Sequence, residues 1–406
     1  MSQLNDSLEY EIVEDRDSFD AMIGTLEKSD FIGFDTEFVA EDCYQPDLCL
    51  VQFSTRDAIF IVDPRSLGDI AQAWSLLVDG QRQVVVHAGR EEILFVRRAT
   101  GEMMPRLFDV QVAVGLLGGE YPASYGKLLQ RFLSVTVAKG ETRTDWRKRP
   151  LTQAQLEYAA LDVLHLPALY DHLCGELERL GRLQWLEDEI ANRQQALEEF
   201  INQEAWVRIS GVQSLRGKQL GVARNIWLWR EERAKTKDMP ARRVLRDDLI
   251  IELAKRGSTD QRAISQIRGL HHAGFKRFLP EIAGAIRSGL SSETPSAPWS
   301  RKQRRSKPPV LLQQFLTAAM SYLCRSSQIA PSIVGTSDDV GKLASYWIEG
   351  RELKQDHPDF PNLLRGWRKE FVGDPLRDIF SGKRALRVQN PTDDMPLCLC
   401  DPKTED

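Results

Sequence analysis

The sequence predicts an α/β domain built on a mixed sheet, followed by helical segments. Two observations carry this. Through residues 1–200, apolar runs of strand length alternate with helix-like stretches. Beyond residue 204 no convincing strand pattern appears, and the apolar residues fall at helical spacing instead. The chain has 406 residues, enough for two or three domains.

In order, Phe31-Ile-Gly-Phe-Asp-Thr-Glu-Phe38, Leu48-Cys-Leu-Val-Gln-Phe-Ser54 and Ala58-Ile-Phe-Ile-Val62 read as strands, the last ended by Asp63-Pro64. They lie so close in sequence that antiparallel pairing is expected. Val84-Val-Val-His87 follows a helix-like stretch, and its run of valines suits a strand covered on both faces. Residues 91–98, 110–117 and 125–132 read as helices. Another opens at Thr152, where Gln155 three residues on completes a capping-box pattern. That helix carries Leu156, Ala159, Ala160 and Val163 before Pro167 ends or kinks it.

From 204 to 290, Leu220, Ala223 and Trp227 stand at core spacing, continued by Leu249, Leu253, Ile264, Ile267 and Leu270. Residues 291–309 are rich in proline and serine and contain Arg301-Lys-Gln-Arg-Arg-Ser-Lys307, either a solvated hinge or a phosphate-contacting arm. Residues 310–385 are helical again and weakly repeat the middle segment: Pro240 and Asp247-Asp248-Leu249 recur as Pro331 and Asp338-Asp339-Val340. Residues 386–406 read as a polar tail.

Composition narrows the class. With 42% hydrophobic and 28% charged residues, the chain has the balance of a soluble globular protein. No run approaches the roughly 18 apolar residues of a membrane helix. Residues 1–20 lack the basic and apolar regions of a secretory leader. The six cysteines form no C-x-x-C pair, so neither a zinc ribbon nor a disulfide framework is signalled and a cytoplasmic setting is expected. A net charge of −5 argues weakly against nucleic-acid binding by bulk charge. Carboxylates that hold metal ions, however, bring local negative charge of necessity.

Three constellations carry chemistry. Asp35 and Glu37, at i and i+2 of an apolar strand, share one face, where they repel unless cations intervene. Hard oxygen ligands of this kind suit Mg²⁺ or Mn²⁺; the plain alternative is an exposed sheet face. Tyr158 and Asp162, four apart on the capped helix, also share a face, a spacing that occurs on ordinary helices too. His87-Ala-Gly-Arg-Glu-Glu92 ends a strand, turns at glycine and starts a helix with acidic residues, which complement the helix dipole whatever else they do.

Taken in order, Phe34-Asp-Thr-Glu-Phe38, Leu50-Val-Gln-Phe53, His87-Ala-Gly89, Arg143-Thr-Asp-Trp146 and Glu157-Tyr-Ala-Ala-Leu-Asp162 resemble the ribonuclease D family. This is a branch of the exonucleases named for four acidic residues, in the subgroup with a catalytic tyrosine. The resemblance implies a ribonuclease-H-like 3′→5′ exonuclease domain over 1–200 and a domain like the HRDC domain of helicases and ribonuclease D over 204–290. A linker over 291–309, a divergent second HRDC-like domain over 310–385 and the tail over 386–406 complete the chain.

The resemblance also implies that two divalent ions, Mg²⁺ or Mn²⁺, are held by Asp35, Glu37, Glu92 and Asp162, with Tyr158 orienting the attacking water. The family usually has aspartate at the position of Glu92; glutamate keeps the charge but adds one methylene, about 1.5 Å of reach. Asp109 matches a supporting acidic position. Phe38, His87, Arg143 and Trp146 are the implied substrate contacts, with Arg147 and Lys148 as further phosphate candidates and Arg242, Arg243 and Arg246 as backbone contacts of the helical domain. The expected activity is metal-dependent removal of 3′ nucleotides as 5′-monophosphates in transfer-RNA maturation, by a monomer with no membrane or protein partner. Two rivals stand beside it: a DNA exonuclease, and an RNA-binding relative weakened by Glu92.

Overall fold

The computed structural model describes residues 8–137, 144–270, 273–296 and 307–402. They fall into two compact units. The first comprises 1–37, 49–195 and 305–406, the second 38–48 and 196–304.

The first unit holds a six-stranded sheet: β1 (Glu11–Val13), β2 (Phe31–Val39), β3 (Asp47–Ser54), β4 (Ile59–Val62), β5 (Gln83–Val86) and β6 (Leu107–Asp109), in the order β1-β4-β3-β2-β5-β6. β3 and β4 are antiparallel, with Phe53 opposite Phe60, while β1–β4, β2–β5 and β5–β6 are parallel. The sheet is mixed, as expected. β1 is an edge strand that the sequence reading lacks: of its three residues only Val13 is buried, too little for a recognisable period.

Central β2 has two distinct faces. Phe34 stacks on Phe53 at 5.6 Å and meets Trp74 of the Ala71–Val78 helix edge-on at 6.0 Å. Gly33 faces the other way, where a Cβ would run into Ser54 and Leu166, the first residue of the Leu166–Arg179 helix. By alternation Asp35 and Glu37 lie on the Gly33 side and Thr36 on the Phe34 side.

The capping box at Thr152 is present: its hydroxyl accepts from Gln155 N–H, and the Gln155 carboxamide accepts from Thr152 N–H at 2.9 Å. It opens the Gln153–Leu164 helix, and Ser54 Oγ donates to Val163 O at 3.0 Å, so this helix lies over the Gly33 face.

Among the described residues, the chain from 307 onward belongs to the same compact unit as the sheet. Its helices Val310–Ser326, Pro331–Val334, Ser337–Ile348 and Asp374–Phe380 include Pro331–Val334 packed on the Val110–Leu116 helix. The tail is not a simple polar extension, because Ala385–Val388 and Leu397–Cys400 pair as an antiparallel hairpin. Leu386 stands opposite Leu399 and Val388 opposite Leu397 within it. The expected basic linker lies largely outside the described residues.

The second unit buries a core that includes Leu220, Ala223, Ile226, Leu249, Leu253, Ile264, Ile267 and Leu270. Trp227 is only partly buried, and Ile226 takes the inward position. The weak repeat has a structural counterpart. The Ala241–Val244 turn and Asp247–Arg256 helix match Pro331–Val334 and Ser337–Ile348, each longer helix carrying its Asp-Asp pair in the first turn. There the carboxylates complement the helix dipole.

Candidate active site

Four carboxylates from three separate segments converge. Asp35 and Glu37 come from β2, Glu92 from the first turn of the Arg90–Thr100 helix and Asp162 from the last turn of Gln153–Leu164. Burial is the leading cause that lifts each pKa, and mutual repulsion adds to it at β2. Asp35 is raised well above the ordinary range by burial and then by Glu92, Asp162 and Glu37. Glu37 rises to about 8 through burial, Asp162 and Glu92. Burial takes Asp162 to about 7 and Glu92 to about 6.

Glu92 and Asp162 each have a neutral partner. The Tyr158 hydroxyl donates to Asp162, realising the one-turn spacing, and burial with the nearby carboxylates raises its own pKa. Thr36 Oγ1 donates to Glu92 Oε1 at 2.7 Å, and Glu92 is only 6% exposed. Among the described residues no three potential metal ligands stand closed around one point, consistent with Glu92 and Asp162 being turned toward these hydroxyls. The donor set nevertheless fits hard divalent cations: all four are carboxylates, close enough to perturb one another, and cations would relieve that repulsion.

The turn that delivers Glu92 is held by Asp109. Its carboxylate accepts from Ala88 N–H at 3.0 Å, Gly89 N–H at 3.1 Å and Gln111 N–H at 2.8 Å. One side chain thereby fixes the 87–89 turn and caps the Val110–Leu116 helix. Gly89 has no substitute in this turn, since a Cβ would collide with Val86. His87 is half-buried; burial lowers its pKa against the opposing pull of Asp109, and its neutral Nε2–H donates to Ala123 O at 3.0 Å.

The other expected residues are placed as follows. Phe38 is half-buried, and alternation puts it on the Thr36 side of β2, away from the face of Asp35 and Glu37. Trp146, expected as a substrate contact, is 5% exposed and lies 6.0 Å from the Tyr158 ring. That leaves almost no face for a base, and its place is behind the tyrosine. Arg147 stands 3.5 Å from Asp145. Arg143 lies outside the described residues. In the helical unit, Arg246 pairs with Asp248 at 2.7 Å and Arg242 reaches Asp247 at 3.5 Å.

Some site residues were missed. Arg149 donates to Trp146 O at 2.8 Å and Cys49 O at 3.0 Å and pairs with buried Asp63, anchoring the backbone behind Tyr158. Gln52 shares the sheet face of Ser54, and its carboxamide is fully buried with neither atom hydrogen-bonded to a described residue. A lone glutamine in an apolar strand was a readable signal. Thr36 and Tyr125 carried none.

Residues 10–178 match the family model of the 3′–5′ exonuclease and residues 219–286 that of the HRDC domain. Ribonuclease D of Gluconacetobacter diazotrophicus is 32% identical over 372 residues, covering 90% of this chain and 92% of that protein. The chain belongs to the ribonuclease D family. Ribonuclease D of Sphingobium indicum is 30% identical over 391 residues, 94% of this chain and 97% of its own. In fold, the chain resembles the crystal structure of Escherichia coli RNase D, with a TM-score of 0.75 at 22% identity over 92% of this chain and 99% of that one. The catalytic core of RRP6 from Trypanosoma brucei gives 0.50 at 22% identity over 71% and 81%. As a member of the ribonuclease D family the protein is a hydrolytic 3′→5′ exoribonuclease. Among the described residues no helix is long and apolar enough to cross a membrane.

The raised carboxylates have a measurable consequence. A carboxyl whose folded pKa exceeds its unfolded value contributes stability below the ordinary range and loses it as pH rises through the folded value. With Glu92 near 6, Asp162 near 7 and Glu37 near 8, the metal-free protein will lose thermal stability as pH climbs from about 5 to about 8.5. Mg²⁺ binds the deprotonated set, so its stabilisation will grow over the same interval. Melting curves in chelator and in Mg²⁺ check both trends; a flat metal-free profile would contradict the repulsion described here.

Proposed function

We propose that the protein shortens RNA from a free 3′ end, one nucleoside 5′-monophosphate at a time, and that precursors of transfer RNA are its substrates. The observation that carries this reading is the convergence of Asp35, Glu37, Glu92 and Asp162, with Tyr158 hydrogen-bonded to the last of them.

In this reading the four carboxylates hold two divalent ions, Mg²⁺ or Mn²⁺, which when bound lower the pKa of water and offset charge on the phosphate. The residues of the chain then have distinct tasks. Thr36 holds the longer Glu92 side chain in place through its hydroxyl. Tyr158, tied to Asp162 and kept neutral by its raised pKa, orients a water in line with the terminal phosphodiester and does not deprotonate it. Water oxygen bonds to phosphorus as the bond to the 3′ oxygen breaks, leaving a 3′ hydroxyl on the shortened RNA. Neutral His87, fixed on Ala123 O, forms the wall of the site.

The test is a 5′-labelled transfer-RNA precursor with a short 3′ extension, incubated with Mg²⁺, Mn²⁺ or chelator, beside a matched DNA overhang and the Glu92→Asp variant. The expected result is a metal-dependent RNA ladder shrinking from the 3′ end. Glu92→Asp, whose shorter side chain parts from Thr36, will trim several-fold more slowly. Preference for the DNA overhang would make the chain a DNA exonuclease. Trimming by Glu92→Asp alone would make it a weakened RNA-binding relative, and no release from either substrate would end the proposal.

A further inference from the structure

The 115–125 segment joins two parts of the first unit. On one side it is fastened to the C-terminal segment. Ala330 N–H donates to Gly115 O at 2.9 Å. The buried Arg182 guanidinium donates to Leu116 O at 2.7 Å, and on its other side to Gln328 O at 3.1 Å and Ser327 O at 2.5 Å. These carbonyls end the Val110–Leu116 and Val310–Ser326 helices, so one cation satisfies two negative helix termini. Gly118 adopts φ +75°, and a Cβ there would lie 2.8 Å from the Gln328 main chain.

Farther along, Ser332 Oγ donates to Tyr121 O at 2.7 Å, and Arg193 donates to the Tyr121 hydroxyl at 2.7 Å. Arg193 is paired with Glu189 at 3.0 Å. Glu189 is held in turn by Arg368 at 2.8 Å, a pair only 7% and 8% exposed. Arg368 also donates to Ile333 O and Val334 O, which fixes the short Pro331–Val334 helix.

On the other side the same segment enters the carboxylate site. Two residues past Tyr121, Ala123 O accepts from His87 Nε2 and from Gln111 Nε2, both at 3.0 Å. Two residues later the Tyr125 ring lies 5.4 Å from His87. Its hydroxyl is buried beside the His165 main chain, and Asp162 and Asp35 are the charges that act on it.

We propose that the C-terminal segment is a working part of the active site: through Ser332 and the Arg368–Glu189–Arg193 relay to Tyr121, it sets the position of residues 121–125 and hence of His87 and Tyr125 beside Asp35 and Asp162. Ser332 and Tyr121 are positioning residues. They touch no reacting atom, but displacing the wall they hold by about an ångström costs turnover. The inference rests on the carboxylate cluster being the reaction site.

The experiment compares the full-length protein with Ser332→Ala, Ser332→Thr and the Ser332→Ala/Tyr121→Phe double variant. Turnover is measured at saturating RNA, RNA affinity by fluorescence anisotropy in chelator, and melting temperature in parallel. The double variant is expected to lose about tenfold in kcat, with affinity changed less than twofold. Ser332→Thr, which keeps the hydroxyl, is expected to retain the natural rate. An unchanged kcat in the double variant would overturn the proposal. So would a loss confined to affinity, which would make the segment an RNA grip. If the double variant does not fold, Ser332→Ala alone carries the test, since its side chain is exposed. Asp35→Asn run alongside separates the two readings: if it still releases nucleotides, the site assignment fails, whatever Ser332 does.

Discussion

Asp35→Asn will abolish nucleotide release and, without divalent ions, will make the protein more stable. Asp35 is pressed by burial and by three neighbouring carboxylates, so its charged form is the least comfortable group in the site. Asparagine keeps the shape and removes the charge. Loss of one anionic ligand removes several kcal/mol of charge stabilisation at the phosphate, a fall of about a thousandfold in turnover. The same change relieves repulsion, so the melting temperature in chelator will rise by about a few degrees while the gain on adding Mg²⁺ shrinks. Chromatographic assay of mononucleotides and paired melting curves read both effects. Retained activity, or a lower metal-free melting temperature, would contradict the account.

Tyr158→Phe separates orientation from ligation. The ring keeps its place against Trp146, so folding will be little affected. What disappears is the hydroxyl that donates to Asp162 and, in the proposed mechanism, positions the water. We expect kcat to fall about a hundredfold, the lower range for a positioned polar group, with KM nearly unchanged. The pH profile carries a second signature. The Tyr158 hydrogen bond lowers the pKa of Asp162, so its loss raises that pKa, and at limiting Mg²⁺, where protons compete with the ion for the carboxylate, the acid limb of the rate profile will move to higher pH. A profile that falls in height without shifting would mean that Tyr158 and Asp162 are not coupled in the working enzyme.

Much of the site was readable because its parts are local. Alternation along β2 places Asp35 and Glu37 together, and the Thr152–Gln155 box fixes the helix on which Tyr158 and Asp162 stand one turn apart. Even the supporting role expected of Asp109 corresponds to a specific local device, a helix cap that also ties down the 87–89 turn. The misses are long-range. Nothing near Thr36 announces Glu92, 56 residues away in the chain. Trp146 reads as an exposed aromatic beside basic residues until Arg149 and Asp63 are seen to draw its backbone inward. The repeat at Pro331 is a local signal, whereas the partners of Arg182 and Glu189, which tie that segment to the first unit, are not encoded in any spacing.

The Arg182 junction bears on how this protein can be cut. Expression of residues 1–200 as a self-contained catalytic fragment would look reasonable from sequence. Such a fragment would lose the Gln328 and Ser327 carbonyls from Arg182 and leave Glu189 without Arg368. It would also uncover Trp185, which stacks on Trp367 at 5.0 Å. Arg182 short of two acceptors, Glu189 left with Arg193 alone and a bare indole on one face make a fragment prone to aggregate. Low activity in such a fragment would then report the damaged face, not the chemistry of its carboxylates. A cut that respects the molecule removes the helical unit and keeps the C-terminal helices with the sheet.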